Sequence, residues 1–268
     1  MASHTYYFKD VTLLITHYNR SNSLERLLGT FKEKNCHFEE VIVSDDASKD
    51  EHFSALIALQ ELYQFKLITT PVNKGLGNNI NKGQQAVKTG FTLYVQEDFV
   101  PTDFFVEHFK DALDIMTEDK KWDYIRFYSY SPYPYLKEYK KGFFEMIYKP
   151  WYLNTRKIYC YTDHPHIRRS NFLDKFGKYE EDKKLDKTEY YMSISFIQKK
   201  GKALFYNGGK KLFEHLNSAD EPSSWQRKNW RQKKNFLISS LRYVYRQVRY
   251  NYDILFWRKK LADADPFK

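Results

Sequence analysis

An α/β fold, a mainly parallel sheet with helices on both faces, follows from three features of this 268-residue sequence. Short apolar runs rich in β-branched residues alternate with helical periodicities through residues 1–100. That alternation calls for parallel strands joined by right-handed crossovers, with helices covering both faces. The loops that follow the strands are rich in polar and acidic residues, at the carboxyl ends where open α/β sheets bind ligands.

The run VTLLIT (residues 11–16) reads as the first strand, and Leu24, Leu27, Leu28 and Phe31 recur at helical spacing between Asn22 and Lys34. Val41, Ile42 and Val43 form a second strand, followed by turn formers and a helix from about Glu51 to Tyr63. FKLITT is a third strand, GNNINKGQQAV a mostly polar helix, and FTLYV a fourth strand that runs into Glu97 and Asp98. Residues 122–161 mix aromatic strand-like runs with SPYPY and KPWY and read as sheet edge and loops. A helical pattern covers Ser170 to Lys200, and KALFY is a late strand.

Composition bounds the function. Hydrophobic residues make up 42%, enough for a core, and aromatic residues 18%, much of it tyrosine suited to polar clefts. The formal charge of +10 favours an anionic partner: nucleic acid, an acidic membrane leaflet or a phosphorylated substrate. Cys36 and Cys160, the two cysteines, have no metal-ligand spacing and are expected to be free thiols in a reducing compartment. The amino end lacks the pattern of a secretory signal, and no apolar run is long enough to span a bilayer, so a cytoplasmic location is expected.

Four segments occur in order: VTLLITHYNRSNSLERLLGTF, EVIVSDDASKD, NKGLGNNINKG and the acidic strand end QEDF. Together they resemble the family 2 glycosyltransferases, inverting enzymes of GT-A fold that join a nucleotide-sugar to an acceptor; the resemblance covers roughly residues 10–216. It implies a Rossmann-like GT-A domain over residues 1–223, with a nucleotide-binding half (1–100) and an acceptor-binding half (101–223). Residues 224–268 form a basic aromatic helical extension.

The resemblance places Thr16, Tyr18, Asn19 and Arg20 beside the nucleotide base, although the same loop also suits helix capping by Ser21 or Asn22. It gives Asp45 and Asp46 a hydrogen bond from the base imide, which favours uracil; otherwise they are turn formers. Asn73, Gly75, Asn81 and Gly83 match a family segment in which Ile80 stands where an arginine is usual, leaving phosphate neutralisation more dependent on a metal. In the acidic signature the first acid is replaced by Gln96. Asp98 is the expected ligand of Mn2+ or Mg2+, with Glu97 on the ribose or an ordered water; hard divalent cations take such oxygen ligands and complete their shell from phosphate and water. A helix-start acid pair is the alternative.

The resemblance makes Glu189 the general base that deprotonates the acceptor hydroxyl, with Asp186 second, against a capping box from Thr188. His215 takes the role of the late family histidine at the metal or diphosphate. His164, His166, Arg168 and Arg169 are candidates for the acceptor pocket.

From Trp225 to Lys260 the chain is basic, with Asp253 its only acid, and Leu237, Leu241, Val244 and Val248 recur at helical spacing. Such a helix lies on an anionic membrane, or packs its apolar stripe on the domain. The expected partners are a nucleotide-sugar and a glycan or lipid-linked glycan acceptor of bacterial surface-polysaccharide assembly, with no nucleic acid. Two rivals stand: a nucleic-acid-binding protein, for which no recognition motif appears, and a degenerate nucleotide-binding scaffold, suggested by Gln96 and Ile80.

Overall fold

The spine of the sheet is β1 (Tyr6–His17), whose second half is buried throughout, as a strand covered on both faces must be. It pairs in parallel with β2 (Cys36–Asp45) on one side and β4 (Phe91–Gln96) on the other. The structure is a computed structural model and describes residues 4–181, 183, 185–216 and 236–257. The remaining elements of the first half are α1 (Ser21–Glu33), α2 (Asp50–Tyr63), β3 (Lys66–Ile68) and α3 (Gly75–Gln85). After β4 come β5 (Phe99–Pro101), α4 (Phe105–Glu118), β6 (Tyr124–Arg126), β7 (Leu136–Lys140), β8 (Phe143–Met146) and a 3-10 turn at Thr155–Ile158. The chain continues through β9 (His166–Arg169), α5 (Phe172–Phe176), α6 (Leu185–Gln198), β10 (Ala203–Tyr206), β11 (Phe213–His215) and α7 (Phe236–Phe256).

Nine strands form one sheet in the order β3-β2-β1-β4-β9-β6-β10-β8-β7. Only β9 and β8 run against the others, so the sheet is mainly parallel. The expectation of a sheet edge over residues 122–161 holds for β7, the outermost strand, with β8 next to it between β7 and β10. It fails for β6, whose three residues are buried between β9 and β10.

Side-chain alternation along the strands divides the core in two. Leu13, Ile15, Val43, Leu93 and Val95 face α1, α2 and α4, while Leu14, Ile42 and Tyr94 face α3, α5 and α6. Helix α3 lies so close to β1 that a Cβ on Gly83 would sit 2.6 Å from Leu14 Cδ1. Its polar residues are not a solvated face. Asn79, Asn81 and Gln84 are buried and bond to Ser44, to the 179–181 segment and to Thr92 and Arg168.

Of the basic extension, residues 236–257 are described and are almost wholly helical. Arg227, Lys228, Arg231, Lys233, Lys234, Arg258, Lys259 and Lys260 lie outside the described residues. Tyr250, Ile254 and Trp257 pack on Tyr190, Ile194 and Ile158, so part of this helix does dock on the domain.

Candidate active site

Parallel pairing aligns the strand ends. His17 stands opposite Asp45, and Thr16 stands opposite both Ser44 and Gln96, so the loops after β1, β2 and β4 start from one rim. Beyond that rim lies a cleft of about 750 Å³ lined from both halves of the chain. Thr16, Tyr18, Arg20, Asp46, Asn73, Gly75, Glu97, Asp98, Glu189 and His215 all line it. Asn19, Asp45 and Asn81 do not, and the side chain of Asp186 lies outside the described residues.

Asn19 and Asp45 instead hold the first two loops together. Asn19 adopts a left-handed backbone (φ 54°), its N–H donates to Ser48 Oγ at 2.8 Å, and its Oδ1 accepts from Lys49 N at 2.8 Å. Asp45 is fully buried and accepts from His17 Nδ1 at 2.8 Å, Ser48 N at 3.0 Å and Thr69 Oγ1 at 3.1 Å. Burial pushes its carboxyl up, but the bonds from His17 and Ser48 win and bring it down to about 2. These oxygens are taken up by His17, Ser48 and Thr69, and Asp45 lies behind the residues that line the cleft.

His17, which sequence reasoning passed over, is the link. The Arg20 N–H donates to its Nε2 at 3.2 Å, so the ring proton resides on Nδ1 and faces Asp45. Arg20 is thereby fixed at the start of α1, with no side-chain cap from Ser21 or Asn22; Ser21 Oγ bonds His52 Nδ1 instead.

Asp46 faces the cleft while its two oxygens accept from Lys74 N (2.9 Å) and Gly75 N (2.7 Å). Gly75 has φ +83°, a backbone that other residues rarely adopt, and it opens α3. Asn81 lies on the far side of that helix, clamped to the main chain of Tyr179 and to Glu181. Ile80 is buried beside Leu14, Ile42 and Tyr94, in the core and away from the cleft. Cationic side chains come to the cleft from elsewhere, as Arg20, Arg126 and Arg156.

At the end of β4 the acidic pair meets a cation. Arg20 lies 2.7 Å from Asp98 Oδ2 and 3.5 Å from Glu97 Oε1, all nearly buried. Pairing of β5 with β11 sets His215 opposite Phe99, and His215 Nε2 reaches Asp98 Oδ2 at 3.0 Å. Burial raises the Asp98 carboxyl, but His215 and Arg20 outweigh it and hold it below its ordinary value. Asp98 Oδ1 is buried without a hydrogen-bond partner among the described residues.

A second carboxyl pair faces the first from the later half. Glu189, on α6, accepts from the Asp163 N–H at 3.2 Å. Asp163 is buried, lines the cleft, and its Oδ1 has no hydrogen-bond partner among the described residues. Burial, and then the Glu189 charge, push its carboxyl well above the ordinary value. Nothing in the sequence marked Asp163 beyond its place in TDHPHIRRS. Thr188 lies inside α6 rather than at its cap and donates to Glu180 O at 3.3 Å, so the capping-box alternative fails.

Of the other acceptor-side candidates, His164 lines the cleft; burial and then Arg126 press it down to about 3. His166 is buried between Tyr94 and Tyr124, Arg168 bonds Gln84 and Tyr179, and Arg169 bonds the carbonyls of Trp122 and Met116. All three lie on β9, between two strands, which removes them from the cleft.

Comparison with known proteins agrees with this geometry. The profile of glycosyl transferase family 2 matches residues 12–177, more than half of the chain, and the chain belongs to that family. No curated protein matches it. Among solved structures, S. aureus TarS 1–349 in complex with UDP-GlcNAc has a TM-score of 0.57 at 18% identity, covering 81% of this chain and 61% of that one. The longer TarS structure gives 0.56 at 17% identity, covering 78% of this chain and 37% of TarS. The mannosyltransferase PcManGT of Pyrobaculum calidifontis, in complex with GDP-Man and Mn2+, gives 0.50 at 15% identity, covering 72% of this chain and 53% of that one. The chain thus spans less than two thirds of the structures it resembles. At these identities the likeness is one of fold, GT-A.

Proposed function

We propose that the chain transfers a hexosyl or N-acetylhexosaminyl group from a nucleoside-diphosphate donor, UDP by preference, to a hydroxyl of a glycan or lipid-linked glycan. The transfer is metal-dependent and inverts the anomeric carbon. The observation that carries this reading is one cleft holding two acidic pairs in opposite electrostatic settings, Asp98 against Arg20 and His215, and Glu189 against Asp163. Donors of two kinds, UDP-GlcNAc and GDP-Man, occupy the related structures, and the carboxylate of Asp46 at the base end of the cleft favours the uracil imide.

Asp98 suits a divalent cation, because its Oδ1 is buried and unpartnered while Oδ2 already meets the imidazole of His215. Among the described residues no three His, Cys, Asp or Glu side chains gather as a complete metal cage, so remaining ligands would come from phosphate and water. Mn2+ or Mg2+ held by Asp98 and His215 would neutralise charge on the departing diphosphate. Arg20 adds a fixed positive charge at the same point, and Glu97 orients it. Thr16, Tyr18, Asn73 and Gly75 border the nucleotide. Glu189 takes the acceptor proton as the hydroxyl attacks from the face opposite the leaving group, and Asp163, whose backbone N–H holds Glu189, keeps it aimed. The domain reading is a transferase over 1–223 and an extension over 224–268 that keeps the enzyme peripheral on the cytoplasmic face of a bacterial membrane, in capsule or lipopolysaccharide assembly.

A thermal-shift panel of UDP, GDP and ADP with and without manganese tests the donor, followed by transfer and hydrolysis assays on the hits. UDP with manganese should shift the chain most, and Asp98→Asn should remove the manganese-dependent part. An Asp98→Asn variant with shift and turnover intact would overturn the metal assignment; binding without turnover would make the chain a scaffold.

A further inference from the structure

Helix α7 has two apolar faces, and the domain uses one. Tyr243, Gln247, Tyr250, Asn251 and Ile254 recur at helical spacing and meet the domain: Tyr243 and Gln247 donate to Leu153 O, Asn251 accepts from Lys157, and Tyr250 and Ile254 pack in the cluster around Tyr190. On the adjoining outward face, Leu241 (71% exposed), Val244 (56%), Val248 (65%), Tyr252 (60%) and Leu255 (73%) project away. A face of that size left in water marks an interaction surface.

The same edge carries a second apolar element. In the loop before the 3-10 turn, Tyr152 stacks on Tyr135 at 3.8 Å and anchors the chain, while its neighbours Trp151 (71%) and Leu153 (73%) stay exposed. Lys149 stands over the Trp151 ring. Arg242 and Arg246 lie along one edge of the exposed side of α7, beyond the exposed Tyr245 and Phe256, and neither has a carboxylate partner among the described residues. Asp253, the one acid of the helix, is engaged by Tyr190 and Arg249.

We propose that the outer face of α7 together with Trp151 and Leu153 is a docking face for an anionic lipid bilayer, with the helix lying in the interface. Apolar side chains enter the headgroup boundary, and Arg242, Arg246 and Lys149 meet lipid phosphates, the pattern expected of an interfacial amphipathic helix. No described helix is long and apolar enough to cross a membrane, so α7 lies on the surface. The 149–159 segment joins this face to the cleft, because Arg156 and Tyr159 line the cleft while Leu153 and Lys157 hold α7. Docking therefore brings the acceptor side of the cleft to the headgroups, which deepens the lipid-linked acceptor reading and rests on it for its purpose.

The test is flotation of the full chain with phosphatidylcholine vesicles, with and without phosphatidylglycerol. The chain should float with the anionic vesicles and be released by salt. Arg242→Gln with Arg246→Gln should lower partitioning about tenfold to thirtyfold. Val244→Glu with Val248→Glu should abolish it at unchanged Tm, since both residues are exposed, and Trp151→Ala should weaken it. A chain that stays in solution with anionic vesicles overturns the proposal, as does flotation indifferent to both double variants. So does a dimer in sedimentation equilibrium that the valine variants dissociate, which would assign the face to a second copy. Flotation needs no donor: a chain that floats yet ignores UDP sinks the donor assignment alone.

Discussion

The two acidic pairs of the cleft use the same side chains to opposite ends. Asp98 and Glu97 share the guanidinium of Arg20, with His215 closing on Asp98, so that carboxyl stays ionised below its ordinary range. Asp163 has Glu189 for a neighbour and no cation in an ion pair among the described residues, and burial with that like charge raises its carboxyl well above the ordinary value. A carboxylate kept charged suits a cation and a diphosphate; a carboxyl whose ionisation is opposed by burial and a neighbouring carboxylate suits proton chemistry. Neighbours, not residue type, set the two carboxyls apart.

Glu189→Gln should break the comparison most severely. It leaves nucleotide and metal binding intact and lowers kcat about 10²–10⁴-fold, the usual contribution of a general base; isothermal titration with UDP beside steady-state kinetics separates the two. Asp98→Asn strikes the other pair. Turnover should fall about 10²–10³-fold, as for loss of one preorganised electrostatic contact, and the manganese dependence of both binding and rate should vanish.

Asp163→Asn sharpens the contrast without removing the base. Asparagine keeps this side chain neutral at every pH, so the acidic limb of the kcat/KM profile should stay in place, any change in rate as Asp163 ionises at higher pH should vanish, and KM for the donor should change little. An acidic limb displaced by the substitution would show instead that Asp163 is charged where Glu189 takes up its proton.

Stability carries the smallest effects, with opposite signs in the two regions. Asp45 and Asp98 have folded values below those of the unfolded chain, so their stabilisation is present above about pH 4 and is lost as pH falls toward 2. Asp163 is raised, so its stabilisation is full below the unfolded value of about 3.9 and is lost as pH rises through its folded value. Scanning fluorimetry across pH should therefore show Asp163→Asn gaining Tm at pH 8 relative to wild type and gaining nothing at pH 4.

Periodicity in the first hundred positions carried the strand and helix order because each element there is a separate apolar run covered by a helix, and local pattern reports such burial directly. In residues 122–161 the aromatic runs serve cleft, core and sheet edge alike, so β6 read as an edge although it lies inside the sheet. The same limit governed the site. Glu97, Asp98 and His215 stood out in motifs at strand ends, while His17 and Asp163 did not, since their significance rests on the partners Asp45 and Glu189, 28 and 26 positions away.

By itself, then, the sequence determined the α/β order, the acidic strand end and the basic amphipathic helix, all properties of chemistry repeated along a short stretch. Only the tertiary structure decided that Asp45 and Asn81 bond neighbouring segments instead of lining the cleft, that Arg20 reaches Asp98, and that one face of α7 is covered while another is bare. A side chain's protonation and availability depend on what lies within a few ångströms of it, and chain distance does not encode that.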